Sequence, residues 1–316
     1  MKMPTNINSM TSGEGLNQLT PEDKKFYIRT LIERLLPELF LYNDAMKKKL
    51  PKNQGRTTNW RKFNSLPAVT TPLTEGKTPD GKDLDVTQIE AVLKQYGDYV
   101  LTTDMLQMTG IDPVVTEASE LCGEQAALSV ELALAEKLFS GTNVMFAGGK
   151  ESRSALEAAN IITGNDIKKI RRQLKKKNAR KFSDGYYHAI IDPDMTYDLT
   201  NDPAWQDVAK YAKPEQMLKG EIGKMHGFRF MEATAFEPVS GTSIDVHRAL
   251  FYGKDSYGAV DLENGGGKPD IIVKQLGSAG TDDPLNQRGS IGWKLPFTCE
   301  ILQPDALISY ECAVTE

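Results

Sequence analysis

The strongest pattern of apolar and polar positions lies between residues 112 and 140. Apolar side chains recur there at helical spacing, with Asp112 and Pro113 in front of them and Gly141 behind. Asp is a favourable N-cap, Pro suits the first helical position, and Gly readily ends a helix. The pattern predicts one helix of about 29 residues, roughly 43 Å long at 1.5 Å per residue. The predicted stripe, apolar except for Gln125, comprises Val114, Val115, Ala118, Leu121, Cys122, Gln125, Leu128, Leu132, Ala135, Leu138 and Phe139.

The chain before this helix divides into two kinds of segment. Residues 1–19 are rich in Asn, Ser, Thr and Gly, which predicts a mobile arm, and a capped amphipathic helix is predicted to begin at Thr20. Residues 47–79 are polar and dense in Pro and Gly, so we expect a long exposed excursion. A loose β-hairpin with a turn at Asp80-Gly81 fits this segment. Residues 86–101 then return with strand-like character.

Helical and strand-like segments are mixed between residues 163 and 310, which favours an α+β architecture. The predicted elements are a helix near 164–178, a strand at Tyr186–Ile191, short helices around Trp205 and Met217, a strand at Phe228–Ala233, strands within 250–275, and two strands within 290–313.

The sequence contains no motif that predicts an active site. His188, His226 and His247 have no spacing typical of metal ligands, and His188 lies in a strand-like run where a structural role is expected. Neither a GxSxG elbow nor a strand-associated GxGxxG is present. The Gly-rich loop at 263–268 is followed by Pro269 instead of the Ser or Thr of a phosphate-binding loop. We therefore predict no enzyme, no catalytic residue, no cofactor and no metal.

Composition narrows the class of protein further. The 316-residue chain is 40% hydrophobic and 26% charged, as in ordinary globular proteins. Its net charge of −5 argues against a uniformly basic nucleic-acid-binding surface. The apolar runs are too short for a membrane span, so no membrane partner is expected. Three cysteines without a CxxC pair predict neither a disulfide framework nor a zinc site.

One charged feature stands out against this acidic background. The predicted helix near 164–178 places Ile167, Ile170 and Leu174 on one face and basic residues around the rest. Such a face suits contact with nucleic acid or with an acidic neighbouring subunit, and a merely solvated face is the third possibility. The basic residues singled out are Lys168, Lys169, Arg171, Arg172, Lys175, Lys176 and Lys177.

The order of these parts resembles the major capsid proteins of tailed bacteriophages with the Hong Kong 97 (HK97) fold. Four segments are also similar to the capsid family of coliphage N-four, and no pattern is recognised for residues 241–289. The four segments are LKQYGDYVLTTDM (93–105), YYHAIIDPDMTYDL (186–199), GEIGKMHGFRFMEATAF (220–236) and SIGWKLPFTCEILQPDALISYECA (290–313).

The resemblance implies the parts of an HK97-like α+β capsid fold. They are an N-arm with a helix (1–46), an E-loop with its returning strand (47–101), a peripheral domain with the spine helix 112–140 (102–162), an A-domain (163–289, with a possible insertion at 241–289) and closing strands of the peripheral domain (290–316).

The implied function is structural. Hexamers and pentamers of the chain would tile an icosahedral virion capsid around double-stranded DNA, after assembly in the host cytoplasm. Further implied partners are scaffold, portal and decoration proteins. Arg56, Trp60, Arg61 and Phe63 of the E-loop are the expected intersubunit contacts, since aromatic and Arg side chains often dominate such contacts. An encapsulin-like nanocompartment shell is the alternative. Two other classes are an enzyme of unrecognised type and a minor virion component such as a decoration protein.

Overall fold

The computed structural model describes most of the chain from residue 40 onward. The predicted arm and the helix at Thr20 lie outside the described residues, as do Asp112, Pro113, Met217 and the loop at 263–268. The described residues are 40–51, 55–73, 75–76, 78, 81–109, 114–203, 205, 221–234, 236–241, 244–262, 269–278 and 283–315.

Helices and strands are mixed in the order expected for an α+β fold. The helices are α1 (Phe40–Asp44), α2 (Asp104–Thr109), α3 (Val114–Phe139), α4 (Gly164–Lys176) and α5 (Pro193–Asn201). The strands are β1 (Met46–Leu50), β2 (Thr57–Phe63), β3 (Val86–Val92), β4 (Lys94–Thr103), β5 (Val144–Phe146), β6 (Tyr187–Ile191), β7 (Glu221–Met225), β8 (Phe228–Glu232), β9 (Val239–Ser240), β10 (Asp245–Tyr252), β11 (Tyr257–Leu262), β12 (Asp270–Lys274), β13 (Arg288–Ile301) and β14 (Leu307–Cys312).

A five-stranded sheet is organised around the long strand β13. Strand β4 pairs antiparallel with Arg288–Phe297 of β13, while β11 and β12 pair with successive parts of its other edge. Strand β1 extends the sheet by pairing parallel with β11. Alternate side chains of β13, including Trp293 and Phe297, are buried against α3. The sheet and the helix thereby share one hydrophobic core.

A seven-stranded sheet forms the second core. Its order is β5-β14-β10-β6-β8-β7, and the two-residue strand β9 pairs with β10. Every residue of β6 and of β14 is buried, which fits strands covered on both faces. Helix α4 contributes Ile167, Ile170 and Leu174 to this core. The strands predicted at 186–191, 228–233 and within 250–275 are confirmed.

The closing segment 290–313 contains the two predicted strands, but they do not pair with each other. Strand β13 lies in the five-stranded sheet, whereas β14 lies between β5 and β10 in the seven-stranded sheet. A short 3-10 turn at Pro304–Ala306 carries the chain from one sheet to the other. Strands β10 and β11 divide between the two sheets in the same way.

The long helix is confirmed, but its predicted apolar stripe is partly wrong. Leu121, Leu128 and Leu132 are 60%, 49% and 42% exposed, so they lie outside the core. The face against the sheet is built mainly from small side chains, such as Ala118 and Ala126, which let the helix backbone approach the sheet closely. Because α3 is apolar on more than one side, spacing alone did not distinguish the buried side.

Candidate functional site

Strands β2 and β3 form the hairpin predicted for the polar excursion. They pair antiparallel from Thr57 opposite Val92 to Phe63 opposite Val86. Beyond the paired residues, every described residue between 64 and 85 is exposed. This hairpin tip has large apolar side chains that nothing in the described chain covers. They are Leu66, Val69, Leu73 and Leu84, each more than half exposed.

Trp60 does not point to a neighbour, which corrects the role predicted for it. Its side chain is 7% exposed and packs in a small cluster with Leu50, Val260 and Leu302. A Cβ added at Gly258 would lie 2.7 Å from the indole ring, so this glycine leaves the space that the ring occupies. Trp60 therefore fastens the hairpin to the five-stranded sheet of its own subunit.

The other three predicted E-loop residues remain on the surface. Arg56, Arg61 and Phe63 are exposed, and Phe63 shows 64% of its surface at the outer end of β2. Their exposure is compatible with the predicted intersubunit contact. Trp60 and Phe63 are three residues apart in one strand, yet only Phe63 is free to contact another molecule.

A second exposed apolar surface lies along α3, and the sequence patterns did not predict it. Leu121, Leu128 and Leu132 occur at helical spacing and form one row along α3. Tyr99 and Leu101 of β4 are 64% and 46% exposed, but they lie on the face of the five-stranded sheet that points away from α3. Exposed apolar rows such as the one on α3 mark interaction sites in soluble proteins.

Helix α4 has the amphipathic character that its sequence predicts. Thr163 caps it, accepting a hydrogen bond from the Asp166 backbone N–H. Lys169 pairs with Asp166 at 2.8 Å, and Lys177 pairs with Asp305 at 2.9 Å. These two members of the basic set are therefore neutralised within the subunit. The remaining five, Lys168, Arg171, Arg172, Lys175 and Lys176, line one open groove of about 450 Å³.

Two of the three histidines, His188 and His247, are buried against carboxylates. His188 is buried and its two ring nitrogens meet Asp44 at 2.5 Å and Asp184 at 3.1 Å, consistent with a structural role. His247 Nδ1 bonds directly to the buried Asp192 carboxylate. Asp192, Asp194 and His247 form the one group among the described residues that could bring three metal-ligand atoms together. The direct His247–Asp192 pair already satisfies that nitrogen, and no metal is inferred.

None of the helices in the described part of the chain combines the length and apolar character of a membrane span.

Comparison with known proteins places this architecture among phage capsids. No family model matches the chain. It resembles the capsid of Ralstonia phage GP4 with a TM-score of 0.67 and 12% identity, covering 87% of this chain and 91% of that one. It also resembles the capsid of cyanophage P-SCSP1u, with a TM-score of 0.63 and 15% identity over 86% and 87% of the two chains. The predicted HK97-like α+β fold is thereby confirmed.

One curated relative points to the same class at the level of sequence. The major capsid protein of Escherichia phage T5 is 28% identical over 97 residues, which are 31% of this chain. The match covers only 20% of the length of that relative.

Proposed function

We propose that this chain is a major capsid protein, a non-enzymatic subunit that assembles into the icosahedral shell of a tailed bacteriophage around double-stranded DNA. The observation that carries the proposal is the fold itself, which matches phage capsid subunits over 87% of the chain. A likeness spread over nearly the whole chain fits a protein whose function lies in its overall shape and its surfaces.

The exposed apolar surfaces support a subunit that is incomplete by itself. The hairpin tip at 64–85 extends beyond the paired strands with every described residue exposed, and Leu121, Leu128 and Leu132 form an uncovered row on α3. Ordering such a tip costs about 1–2 kcal/mol of backbone entropy per residue, which local contacts do not offset. We propose that the tip and the leucine row become buried between neighbouring subunits of hexamers and pentamers.

Particular hairpin residues follow from this proposal. Arg56, Arg61 and Phe63 would make the intersubunit contacts, because all three are exposed, Arg56 just before the strand that leads to the tip and the other two on it. In the terms of the HK97 fold, the hairpin is then the E-loop and α3 is the spine helix. The four sequence segments quoted above favour a relative of the coliphage N-four capsid family. Scaffold, portal and decoration proteins, and assembly in the host cytoplasm, belong to the same proposal.

Self-assembly of the purified protein is the direct test. At high concentration, sedimentation should reveal capsomers, tubes or shells, and negative-stain electron microscopy should show their shape. A single 35.0 kDa species at every salt and protein concentration would contradict the proposal. The contents of particles isolated from cells separate the two shell functions: packaged DNA fits a capsid, whereas a cargo enzyme fits the nanocompartment alternative.

A further inference from the structure

The groove along α4 is lined, within the described part of the chain, by basic residues alone. Lys168, Arg171, Arg172, Lys175 and Lys176 are the residues that surround its volume of about 450 Å³. Four of the five are exposed, and Arg171 is half-buried. Among the described residues, none of these five cations makes an ion pair within 4 Å, although the chain as a whole is acidic. As far as the described residues extend, the groove is therefore a local concentration of uncompensated positive charge.

Two further observations concern Arg171, one of the five lining residues, and the nearby His226. The Arg171 Nε is buried and has no hydrogen-bond partner in the described chain, so one donor of the guanidinium is unsatisfied. His226 lies close enough to be affected, because burial lowers its pKa and the charges of Lys168 and Arg171 lower it further. The buried Nε lies beside Gly227 and not at the groove surface, so the exposed unpaired cations are what suits this surface to an anion.

The shape and spacing of the groove favour a chain of phosphates over a single anion. Lys168 and Lys175 are seven residues apart, which corresponds to roughly 10 Å along the helix axis. Duplex DNA presents one negative charge for about every 1.7 Å of its axis, so about six charges, counted over both strands, fall within such a length. Arg171 and Arg172 add guanidinium groups, whose planar forks match phosphate oxygens.

We propose that the α4 groove binds the phosphate backbone of duplex DNA without reading its sequence. The inference rests on the proposed function for the source of the DNA, but its chemistry depends only on the groove. The contacts come from the side of one helix, and phosphate contacts carry no sequence information by themselves.

An acidic segment of a second copy is the competing occupant. The hairpin tip at 64–85 contains Glu75, Asp80, Asp83 and Asp85 against Lys77 and Lys82, a net charge of −2. Five unpaired cations exceed what this segment can neutralise. A duplex supplies enough phosphates for all five, and the charge balance therefore favours DNA.

Charge reversal with a matched control tests the proposal. The full-length variant R172E/K175E/K176E reverses the groove, and K49E/K254E/K294E reverses three exposed lysines elsewhere. Each variant changes the net charge by −6, from −5 to −11, because each substitution changes it by −2. Circular dichroism and thermal melting should first establish that both variants fold as the wild type does.

Binding is measured by fluorescence anisotropy with two labelled 20-base-pair duplexes of unrelated sequence. The wild type should bind both equally, with an affinity that falls steeply with salt. The groove variant should bind at least tenfold more weakly. Its slope of log K against log salt should be smaller by about two to three, because each phosphate that a side chain neutralises contributes about 0.9 to that slope. The control should remain within about threefold of the wild type.

Three results overturn the inference: no duplex binding by the wild type, equal weakening of binding in both variants, or displacement of the duplex by equimolar peptide 64–85. Microscopy of the same samples keeps this test separate from the proposed function. If shells form but the protein has no affinity for DNA, only the proposal of DNA binding by the groove is contradicted. If the protein stays monomeric but binds DNA through the groove, only the capsid proposal is contradicted.

Discussion

At the scale of single residues, a buried polar cluster holds the short helix α1 against the rest of the subunit. Asp44 accepts a hydrogen bond from Tyr252 at 2.8 Å and contacts His188 at 2.5 Å. Glu131 of α3 accepts a hydrogen bond from the Leu41 backbone N–H at 3.2 Å, while its other carboxylate oxygen is buried without a partner in the described chain. These groups come from α1, α3, β6 and β10, so no local pattern brings them together.

The pKa values in this cluster link its stability to pH. Burial raises the pKa of Glu131 to about 7, against the opposing effect of its Leu41 hydrogen bond. For His188, burial lowers the pKa, but the carboxylates of Asp44 and Asp184 outweigh this and raise it overall. A raised pKa in the folded state means that the group stabilises the protein at low pH. Both contributions are lost as pH rises through the folded-state pKa.

We therefore expect Glu131→Gln to reduce the pH dependence of folding. Gln keeps an acceptor for the Leu41 N–H but does not ionise. Between pH 4.5 and about 8 the wild type should lose up to about 3 kcal/mol more unfolding free energy than the variant, at about 1.4 kcal/mol per pKa unit. Urea titrations at several pH values measure this difference. His188 is present in both proteins. If the unfolding free energies of the wild type and of Glu131→Gln fall in parallel with pH, the extra pH dependence does not come from Glu131.

At the scale of elements, α3 serves two surfaces at once. One side carries Ala126, Leu134 and other buried residues against β13, and the opposite side carries the exposed row that includes Leu128. Polar contacts set the position of the helix on the sheet. Gln125 joins Trp293 Nε1 at 3.0 Å to Asp98 at 2.6 Å, and Lys137 pairs with Glu300. The exposed side is the one that we propose to contact neighbouring subunits.

Two leucines on α3 should separate folding from assembly. Leu134→Ala, at a fully buried position, should destabilise the subunit by about 2–5 kcal/mol. Leu128→Ala, at a position 49% exposed, should cost no more than about 1 kcal/mol. It should nevertheless weaken assembly if the row is an intersubunit contact. Chemical denaturation and sedimentation of both variants check this, and equal destabilisation would contradict the two-sided helix.

At the scale of the whole molecule, the hairpin combines a buried base with an exposed tip. Its base belongs to the subunit, because Trp60 and Ala91 are buried in the cluster with Val260. Its tip at 64–85 makes no contribution to any described core. If the chain assembles as proposed, the boundary between folding and assembly lies within the hairpin, at the outer end of β2 and β3.

Replacement of the tip should therefore abolish shells without harming the fold. We expect a variant with a short Gly/Ser linker in place of residues 64–85 to melt close to the wild type, since loop-closure entropy varies slowly with length. Microscopy should show no closed shells. Trp60→Ala is the contrasting variant and should lose about 3–5 kcal/mol of stability. Normal shells from the tip variant would show that the tip is not an intersubunit contact.

The sequence by itself determined the kind and order of the elements. Periodicity, caps and turn residues are local signals, and they sufficed for α3, α4, the hairpin and the strands at 187–191 and 228–232. The amphipathic pattern of α4 also predicted its basic face. These features depend on residues that are close to each other in the sequence. The order of the elements along the chain could therefore be compared with a known fold from the sequence alone.

Only the tertiary structure decided which side of each element faces inward. Trp60 turned inward because Gly258, nearly 200 residues away in sequence, leaves room for its ring, and Leu128 turned outward because the small-residue side of α3 fits the sheet. Strands β13 and β14 lie in different sheets because each pairs with strands that are distant in the sequence. Burial depends on the shape of distant partners, and periodicity within a segment does not contain that information.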